Sequence, residues 1–133
     1  MNTRTIAYWA TLGLFCAVLG FSGIAHTIRA EAMVEGLTGL GYPVFVLSIL
    51  GPLKLAGVIA LLLPGLPLLK EWAYAGFTFN LIGATASHAF AGDPIGEVLP
   101  PAVILCVGLA SYFLRPADRR LGSTASAPAG APA

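Results

Sequence analysis

The chain has 133 residues, of which 57% are hydrophobic and only 10% are charged, and its mean hydropathy is +0.85. This composition excludes an ordinary soluble domain, and a formal net charge of +1 gives no basic surface for a nucleic-acid partner. A helix that crosses the bilayer needs roughly 20 predominantly apolar residues. The sequence offers four such stretches, so we predict an all-α integral membrane protein whose main partner is the lipid bilayer.

The first membrane span is predicted at residues 5–28, where an apolar run follows Arg4. Tyr8 and Trp9 lie near its start, as aromatic residues at a membrane interface do. A cleaved secretory signal is the alternative interpretation, because the small residues ending at Ala25 resemble a cleavage site. Its removal would leave three spans and no exported domain, so we favour a span that is retained.

A short polar segment and a second span follow. Residues 29–43 carry Glu31 and Glu35 and end in the turn sequence GYP, so we expect a small helix at the membrane surface there. The second span is predicted at 44–63 and is followed directly by the turn sequence PGLP.

Two further spans complete the predicted membrane domain. The third is predicted at 72–90 and is followed by the polar turn sequence AGDPIGE. The fourth is predicted at 98–114, with Pro100 and Pro101 in its first turn, where a missing backbone donor costs little.

Residues 1–116 form this domain, and residues 117–133 are mostly small residues and prolines that predict a disordered tail. Cys16 and Cys106 are interpreted as small apolar residues that fill space. Four glycines are expected to let helices approach closely. They are Gly51, Gly57, Gly76 and Gly83.

The distribution of cations predicts the orientation, because cytoplasmic loops carry the excess of Lys and Arg. The residues counted at the cytoplasmic side are Arg4, Lys70, Arg115, Arg119 and Arg120. Only Arg29 falls on the outer side. We therefore predict an antiparallel, left-handed four-helix bundle with both termini in the cytoplasm. Glu71 beside Lys70 is expected to form a solvated pair.

Polar residues inside the spans mark a candidate site, since such groups face the interior of a helix bundle. On the third span Asn80, Ser87 and His88 are spaced so that they share one helix face. The first span carries Ser22 and His26 four residues apart.

The second span carries Lys54, which is the strongest single indicator, because a lysine at a helix centre costs about 2.5 to 3.5 kcal/mol on insertion scales. At about 1.5 Å of rise per residue, Lys54 and Asn80 lie at similar depths, about 13 and 12 Å from the inner ends of their spans. The spacing predicts a polar track that starts at this pair and opens outward past His26 and His88. The predicted ligand-binding residues are Lys54, Asn80, His88, His26, Ser22 and Ser87.

Each of these residues also has a purely structural interpretation. Asn80 can serve only to join helices, His26 and His88 can be wetted helix ends, and Lys54 can be a hydrogen-bonded structural cation. Two histidines without a third ligand predict no metal site. No residue pattern identifies a catalytic group, and the sequence leaves open whether the protein is an enzyme.

Several stretches resemble the DoxX-like family of small four-helix bacterial membrane proteins, over residues 5–116. They are LFCAVLGFSGIAH, LGYP, ILGPLKLAGVIALLLPGLPLLKEWAYAGFTFNLIGATASH and SYFLRP. The most specific part is the pair Gly51 and Lys54 followed by KEWAYAGF. The resemblance implies a multi-pass protein of the bacterial cytoplasmic (inner) membrane.

The resemblance also implies two classes of function. The family is named after a subunit of an archaeal terminal quinol oxidase, and related proteins are similar to the membrane subunit of a thiosulfate:quinone oxidoreductase or to partners of oxidative-stress complexes. Distantly similar animal proteins look like assembly chaperones for membrane receptors. The family supplies no agreed set of catalytic residues that could be assigned to this chain.

The leading hypothesis is that the protein binds a quinone, or a similar small aromatic or anionic molecule, in an outward-opening polar pocket as part of a membrane oxidoreductase system. Lys54 and Asn80 would hold the ligand, His26 and His88 would relay protons, and a membrane or redox protein would supply electrons. The alternatives are a non-catalytic scaffold or assembly subunit and a small-molecule permease. A homo-oligomer is expected, because four short helices leave much apolar surface.

Overall fold

The computed structural model describes residues 1–122, and these residues form only helices and the connections between them. The helices are α1 (Thr3–Thr27), α2 (Glu31–Gly39), α3 (Phe45–Leu62), α4 (Pro67–Phe90) and α5 (Ile95–Leu114), followed by a short 3-10 helix at Ala117–Arg119. The predicted all-α fold is confirmed for this part of the chain. The short helix expected within residues 29–43 is confirmed as α2.

Three helices, α1, α3 and α5, are long and apolar enough to cross a membrane. The third predicted span corresponds to α4, which is not among them in the described part of the chain. Its 24 residues suffice in length, but Trp72, Asn80 and His88 lower its mean hydropathy. Phe21, Phe79 and Phe113 are more than 65% exposed, and such an apolar outer surface suits lipid tails.

After each of α1, α2 and α4, one residue adopts the left-handed backbone conformation with positive φ. This conformation ends the helix and turns the chain sharply. Gly41 and Gly92 hold this position after α2 and α4, with φ of 88° and 76°. After α1 the position is taken by Arg29, with φ of 53°. Its guanidinium donates a hydrogen bond of 2.8 Å to the Ser48 hydroxyl, so the end of α1 is fastened to the start of α3.

The helices pack in a cycle in which α1 contacts α3 and α5, and α4 contacts α5 and α3. The core forms where Phe15 of α1 meets Tyr74 and Phe77 of α4, with the Phe15 and Phe77 rings edge to face at 5.5 Å. Cys16 is buried in this core, whereas Cys106 is exposed. Only Cys16 therefore fills interior space as predicted.

Glycines allow α1 and α3 to lie unusually close together. A Cβ on Gly51 would collide with the backbone of Thr27, and one on Gly23 would press on Leu55 and Lys54. Gly57 likewise accommodates the Phe77 ring. The expected close approach of helices is confirmed at Gly51, whereas at Gly57 the missing side chain makes room for a ring of α4. It is wrong at Gly76 and Gly83, where a Cβ would meet no atom within 4 Å.

The fourth predicted span begins earlier than expected. Because α5 begins at Ile95, Pro100 and Pro101 lie within the helix and not in its first turn. They deprive the carbonyls of Gly96 and Glu97 of helical partners. Both of those residues are exposed, so water or lipid head groups can take the place of the missing donors.

The start of the predicted tail differs from the expectation of disorder. Residues 117–122 are described, and Arg119 in the 3-10 helix is buried. The reason is that its guanidinium has partners within the helix packing. Residues 123–133 of the predicted tail lie outside the described residues.

The last turn of α3 is held by two cations from other parts of the chain. Lys70 donates to the carbonyls of Ala60 and Leu63, and Arg119 donates to those of Leu61, Leu62 and Leu63. These are the carbonyls that a helix end leaves without partners, and positive charge is favourable there. The expected solvated pair is therefore wrong for Lys70, which is only 1% exposed.

Glu71 pairs with Arg115 and not with its neighbour in the chain. One carboxylate oxygen accepts a 2.8 Å bond from Arg115, and the other accepts a 2.9 Å bond from the Tyr112 hydroxyl. Glu71 lies just before the predicted span of 72–90. Partial burial alone would raise the pKa of Glu71, but the bonds from Arg115 and Tyr112 and the charge of Arg115 outweigh it, so the pKa lies below its ordinary value.

The cations predicted to be cytoplasmic gather at one end of the helices. Arg4 at the start of α1 donates to the carbonyl of Phe113 at the end of α5, and Arg119 donates to Tyr8 of α1. Arg29, which binds Ser48, belongs to the opposite end. Below, the end with the gathered cations is called the inner end and the end with Arg29 the outer end.

We expect Gly51→Ala to lower the free energy of unfolding by about 1 to 3 kcal/mol, because the new methyl group meets the backbone of Thr27, which cannot rotate away. Thermal unfolding in detergent measures this loss. Gly83→Ala is the matched control, since the same change there meets open space and should be neutral or stabilising by up to about 1 kcal/mol. Equal losses at both positions would contradict the close packing of α1 on α3.

We expect the pair of Glu71 with Arg115 to stabilise the protein in a pH-dependent way. A carboxyl whose pKa is lowered by folding stabilises the fold above its unfolded pKa, and that stabilisation is lost as the pH falls through the folded pKa. Glu71→Gln should therefore cost about 1 to 3 kcal/mol at neutral pH, and its unfolding temperature should converge with that of the unaltered protein in acid. Glu35→Gln on the exposed face of α2 is the control. If the unfolding temperatures of the Glu71→Gln and unaltered proteins differ by the same amount at every pH, the lowered pKa of Glu71 is contradicted.

Candidate functional site

The candidate site is built around Lys54, in the middle of α3. The side chain is only 9% exposed, and its ammonium donates a 2.9 Å hydrogen bond to the hydroxyl of Ser22 on α1. An ammonium has three donors, and no other residue in the described part of the chain accepts one of them. Two donors of a buried cation are therefore available to a ligand or to water.

His26 continues this polar contact toward the outer end. Its Nδ1 lies 2.6 Å from the backbone carbonyl of Ser22 and 3.3 Å from the Ser22 hydroxyl. The short distance to a carbonyl, which can only accept, means that Nδ1 carries the proton and donates it. Lys54, Ser22 and His26 thus form a continuous polar column between α1 and α3.

Lys54 also lines a groove of about 340 Å³ between α3 and α4. Asn80 lies in the same groove and is half-buried, and among the described residues its amide makes no hydrogen bond. The remaining lining is largely apolar. It consists of Leu50, Leu53, Ala56, Gly57, Ala60, Leu69, Trp72, Ala73, Gly76 and Phe77.

The groove exists because of the sizes of the residues that α3 and α4 present to each other. Phe77 packs against Gly57 and forms the floor. Around this contact Ala56, Ala73 and Gly76 are too small to fill the space between the helices. The two helices therefore meet through the Phe77 ring and leave a cleft beside it.

The groove opens sideways and not toward the outer end. All of its lining residues belong to α3 and α4. They run from Asn80 and Leu50 to Ala60 and Leu69 near the inner ends of these helices. Leu53 and Trp72, which also line the groove, are 62% and 65% exposed. The hypothesis of an outward-opening polar pocket therefore differs from the structure in both direction and polarity. Spacing along one helix predicted that Lys54 and Asn80 lie at similar depths, and both line this groove, but spacing could not show which pair of helices would separate.

Ser87 and His88 have partners at the outer end of α4, and the structure does not connect them to Lys54. Ser87 accepts from the Tyr42 hydroxyl at 2.7 Å and donates to the carbonyl of Gly83. His88 Nδ1 lies 2.6 Å from a carboxylate oxygen of Asp93. Both residues lie about 10 to 12 Å farther along the helix than Asn80, so a shared face does not bring the three together.

A second groove, of about 280 Å³, lies on the other side of α4 against α5. Its polar groups already have partners within the protein. Glu71 binds Arg115 and Tyr112, and Thr78 donates to the carbonyl of Tyr74. The groove beside Lys54 is therefore the stronger candidate for ligand binding. Within residues 1–122, no cluster of three or more His, Cys, Asp or Glu side chains comes together to hold a metal ion.

The sequence did contain a signal for the groove residues that spacing arguments missed. Trp72 and Gly76 precede Asn80 by eight and four residues, which places all three on one stripe of α4. The place of Trp72 at the start of the third predicted span also suits an interfacial aromatic residue, and Gly76 was expected only to let helices approach closely. Tyr42, the partner of Ser87, gave no such periodic signal because it lies in a connection.

Comparison with known proteins supports the resemblance found in the sequence. The model of the DoxX-like family matches residues 10–111, which include Lys54, Ser22, His26 and Asn80. No curated protein and no solved structure is significantly similar to the chain. The family and the apolar helices together indicate a membrane protein. Because the match covers more than half of the chain, the protein belongs to the DoxX-like family.

Proposed function

We propose that this protein binds a quinone, or a similar small aromatic or anionic molecule, in the groove between α3 and α4. The binding would serve a membrane oxidoreductase system in the bacterial cytoplasmic membrane. The observation that carries the proposal is the buried ammonium of Lys54, which lines the groove and uses one of its three donors on Ser22. Cations inside a membrane protein are costly and are usually kept for function.

The proposed architecture is an antiparallel bundle of four spans, α1, α3, α4 and α5, with both termini in the cytoplasm. Two observations support it. The start of α1 lies beside the end of α5, where Arg4 binds the carbonyl of Phe113, and the end of α1 lies beside Gly51 near the start of α3. The five cations counted as cytoplasmic belong to the inner end, as the preference of cytoplasmic loops for Lys and Arg requires.

The groove can hold a flat ring with a polar edge. Phe77 and Trp72 supply aromatic surface, while the Lys54 ammonium and the Asn80 amide can donate to a carbonyl or phenolate oxygen. A cation acts strongly on nearby negative charge in a medium of low dielectric. A mostly apolar cavity of a few hundred Å³ with a small number of polar groups is typical of ligand sites.

The column formed by Lys54, Ser22 and His26 supports a polar connection from the groove toward the outer end. A histidine suits proton transfer because its ordinary pKa is close to neutral. We assign ligand binding and proton relay to this chain and electron transfer to a membrane or redox protein partner. Ser87 and His88 are left out of this relay because they bind Tyr42 and Asp93.

We expect Lys54→Met to lower the affinity for decylubiquinone about tenfold to 100-fold, since a hydrogen bond to a charged group contributes about 1.5 to 3 kcal/mol. The unliganded variant should be as stable as the unaltered protein or more stable, because a buried charge has been removed. Thermal unfolding in lipid nanodiscs, with and without the quinone, measures both quantities. Asn80→Leu should show a smaller loss of affinity.

Thr78→Val is the control, because Thr78 lies on α4 but lines the other groove. It should leave quinone binding unchanged. If Lys54→Met retains the full quinone-dependent stabilisation, the proposed ligand site is wrong. A scaffold or assembly subunit, which needs no ligand at Lys54, would then be the better interpretation.

A further inference from the structure

We infer that the molecule held at Lys54 enters from the lipid phase, sideways between α3 and α4, and is an amphiphile with a single apolar tail. Its hydrogen-bond-accepting head would lie at Lys54 and Asn80, and its tail would extend along the groove toward the inner end, past Gly76 to Trp72. This inference rests on the proposed function and adds the ligand's class, its route of entry and its orientation.

The orientation follows from where the polar groups lie. Asn80 lines the groove at its outer part, whereas Ala60, Leu69 and Trp72 line the inner part. On α4 the distance from Asn80 to Trp72 is eight residues, or about 12 Å. A head held at Asn80 and Lys54 therefore leaves an apolar channel about two helical turns long on its inner side.

The route follows from which side of the groove is open. Leu53, Leu69 and Trp72 are 62%, 41% and 65% exposed, and they form an apolar mouth on the surface that lipid tails cover. On the opposite side of Lys54, the seam between α1 and α3 is closed by the contact of Gly51 with Thr27. The bond from Arg29 to Ser48 closes it again at the outer end.

The size of the groove favours one tail over two. Its volume of about 340 Å³ lies near the lower end of the range for ligand sites. A ring with part of one chain fits this volume, whereas a phospholipid brings two chains and a large charged head. The occupant we commit to is therefore a single-chain, lipid-soluble molecule of the quinone type.

Gly76 offers a sharp test because it lines the groove and a Cβ there would meet no protein atom within 4 Å. Gly76→Leu should fill the space of the tail without disturbing the packing. Gly83→Leu is the matched control, since it makes the same change on the same helix, also meets no atom within 4 Å, and lies outside the groove. Both variants experience the same partition of the ligand into the bilayer.

The readout is tryptophan fluorescence, because the chain has only Trp9 and Trp72 and a bound quinone quenches a tryptophan that it touches. In the background of Trp9→Phe, which leaves Trp72 as the only reporter, decylubiquinone should quench saturably in nanodiscs. Gly76→Leu should remove the saturable part or weaken it at least about tenfold, and Gly83→Leu should retain it. The same ring without a tail should quench Trp72 only weakly.

The failures of the two proposals can be told apart. One failure is that the unaltered protein binds decylubiquinone and the Gly76→Leu and Gly83→Leu variants bind it equally well. Another is that the ring without a tail binds as tightly as decylubiquinone. In either case the proposed orientation and tail are wrong, while the Lys54 site stands. If neither quinone binds the unaltered protein, the proposed function and this inference both fall. Lys54→Met separates these cases, since it should weaken binding only where the head site exists.

Discussion

The hydrogen bond from the Lys54 ammonium to the Ser22 hydroxyl determines how the rest of the site is arranged. It requires α1 and α3 to lie close together, and Gly23 and Gly51 provide that closeness by having no side chain. The bond holds a charge inside an apolar body while using one of its three donors. The other two donors can act in the groove on the far side of α3, so the contact of α3 with α1 prepares a site between α3 and α4.

The same demand for partners explains the inner end of the molecule. Carbonyls at the end of a helix need donors where water is scarce, and Lys70 and Arg119 provide them for the last turn of α3. This anchoring fixes where α3 ends and where α4 begins. Ala60, whose carbonyl accepts from Lys70, also lines the groove, so the inner cations hold one end of a helix that forms it.

The sequence predicted the helices, because apolar length depends only on neighbours along the chain, but it did not predict the bond of Lys54 to Ser22, which joins two helices. It placed Asn80 at the depth of Lys54, and both line one groove. It did not predict the burial of Lys70, whose partners are carbonyls and have no side-chain signature. The sideways opening was also missed, because it depends on how Phe77 and Gly57 separate two helices.

The most direct test of this account is the distance between the Lys54 ammonium and the head of a bound quinone in a lipid bilayer. The chain has only two lysines, Lys54 and Lys70, so nitrogen-15 labelling of lysine alone gives two side-chain amine signals in solid-state NMR, and Lys54→Met assigns them. With a quinone labelled with carbon-13 at its carbonyls, the account predicts dipolar coupling to Lys54 at hydrogen-bonding distance and none to Lys70. A saturably bound quinone without coupling to Lys54 would contradict it.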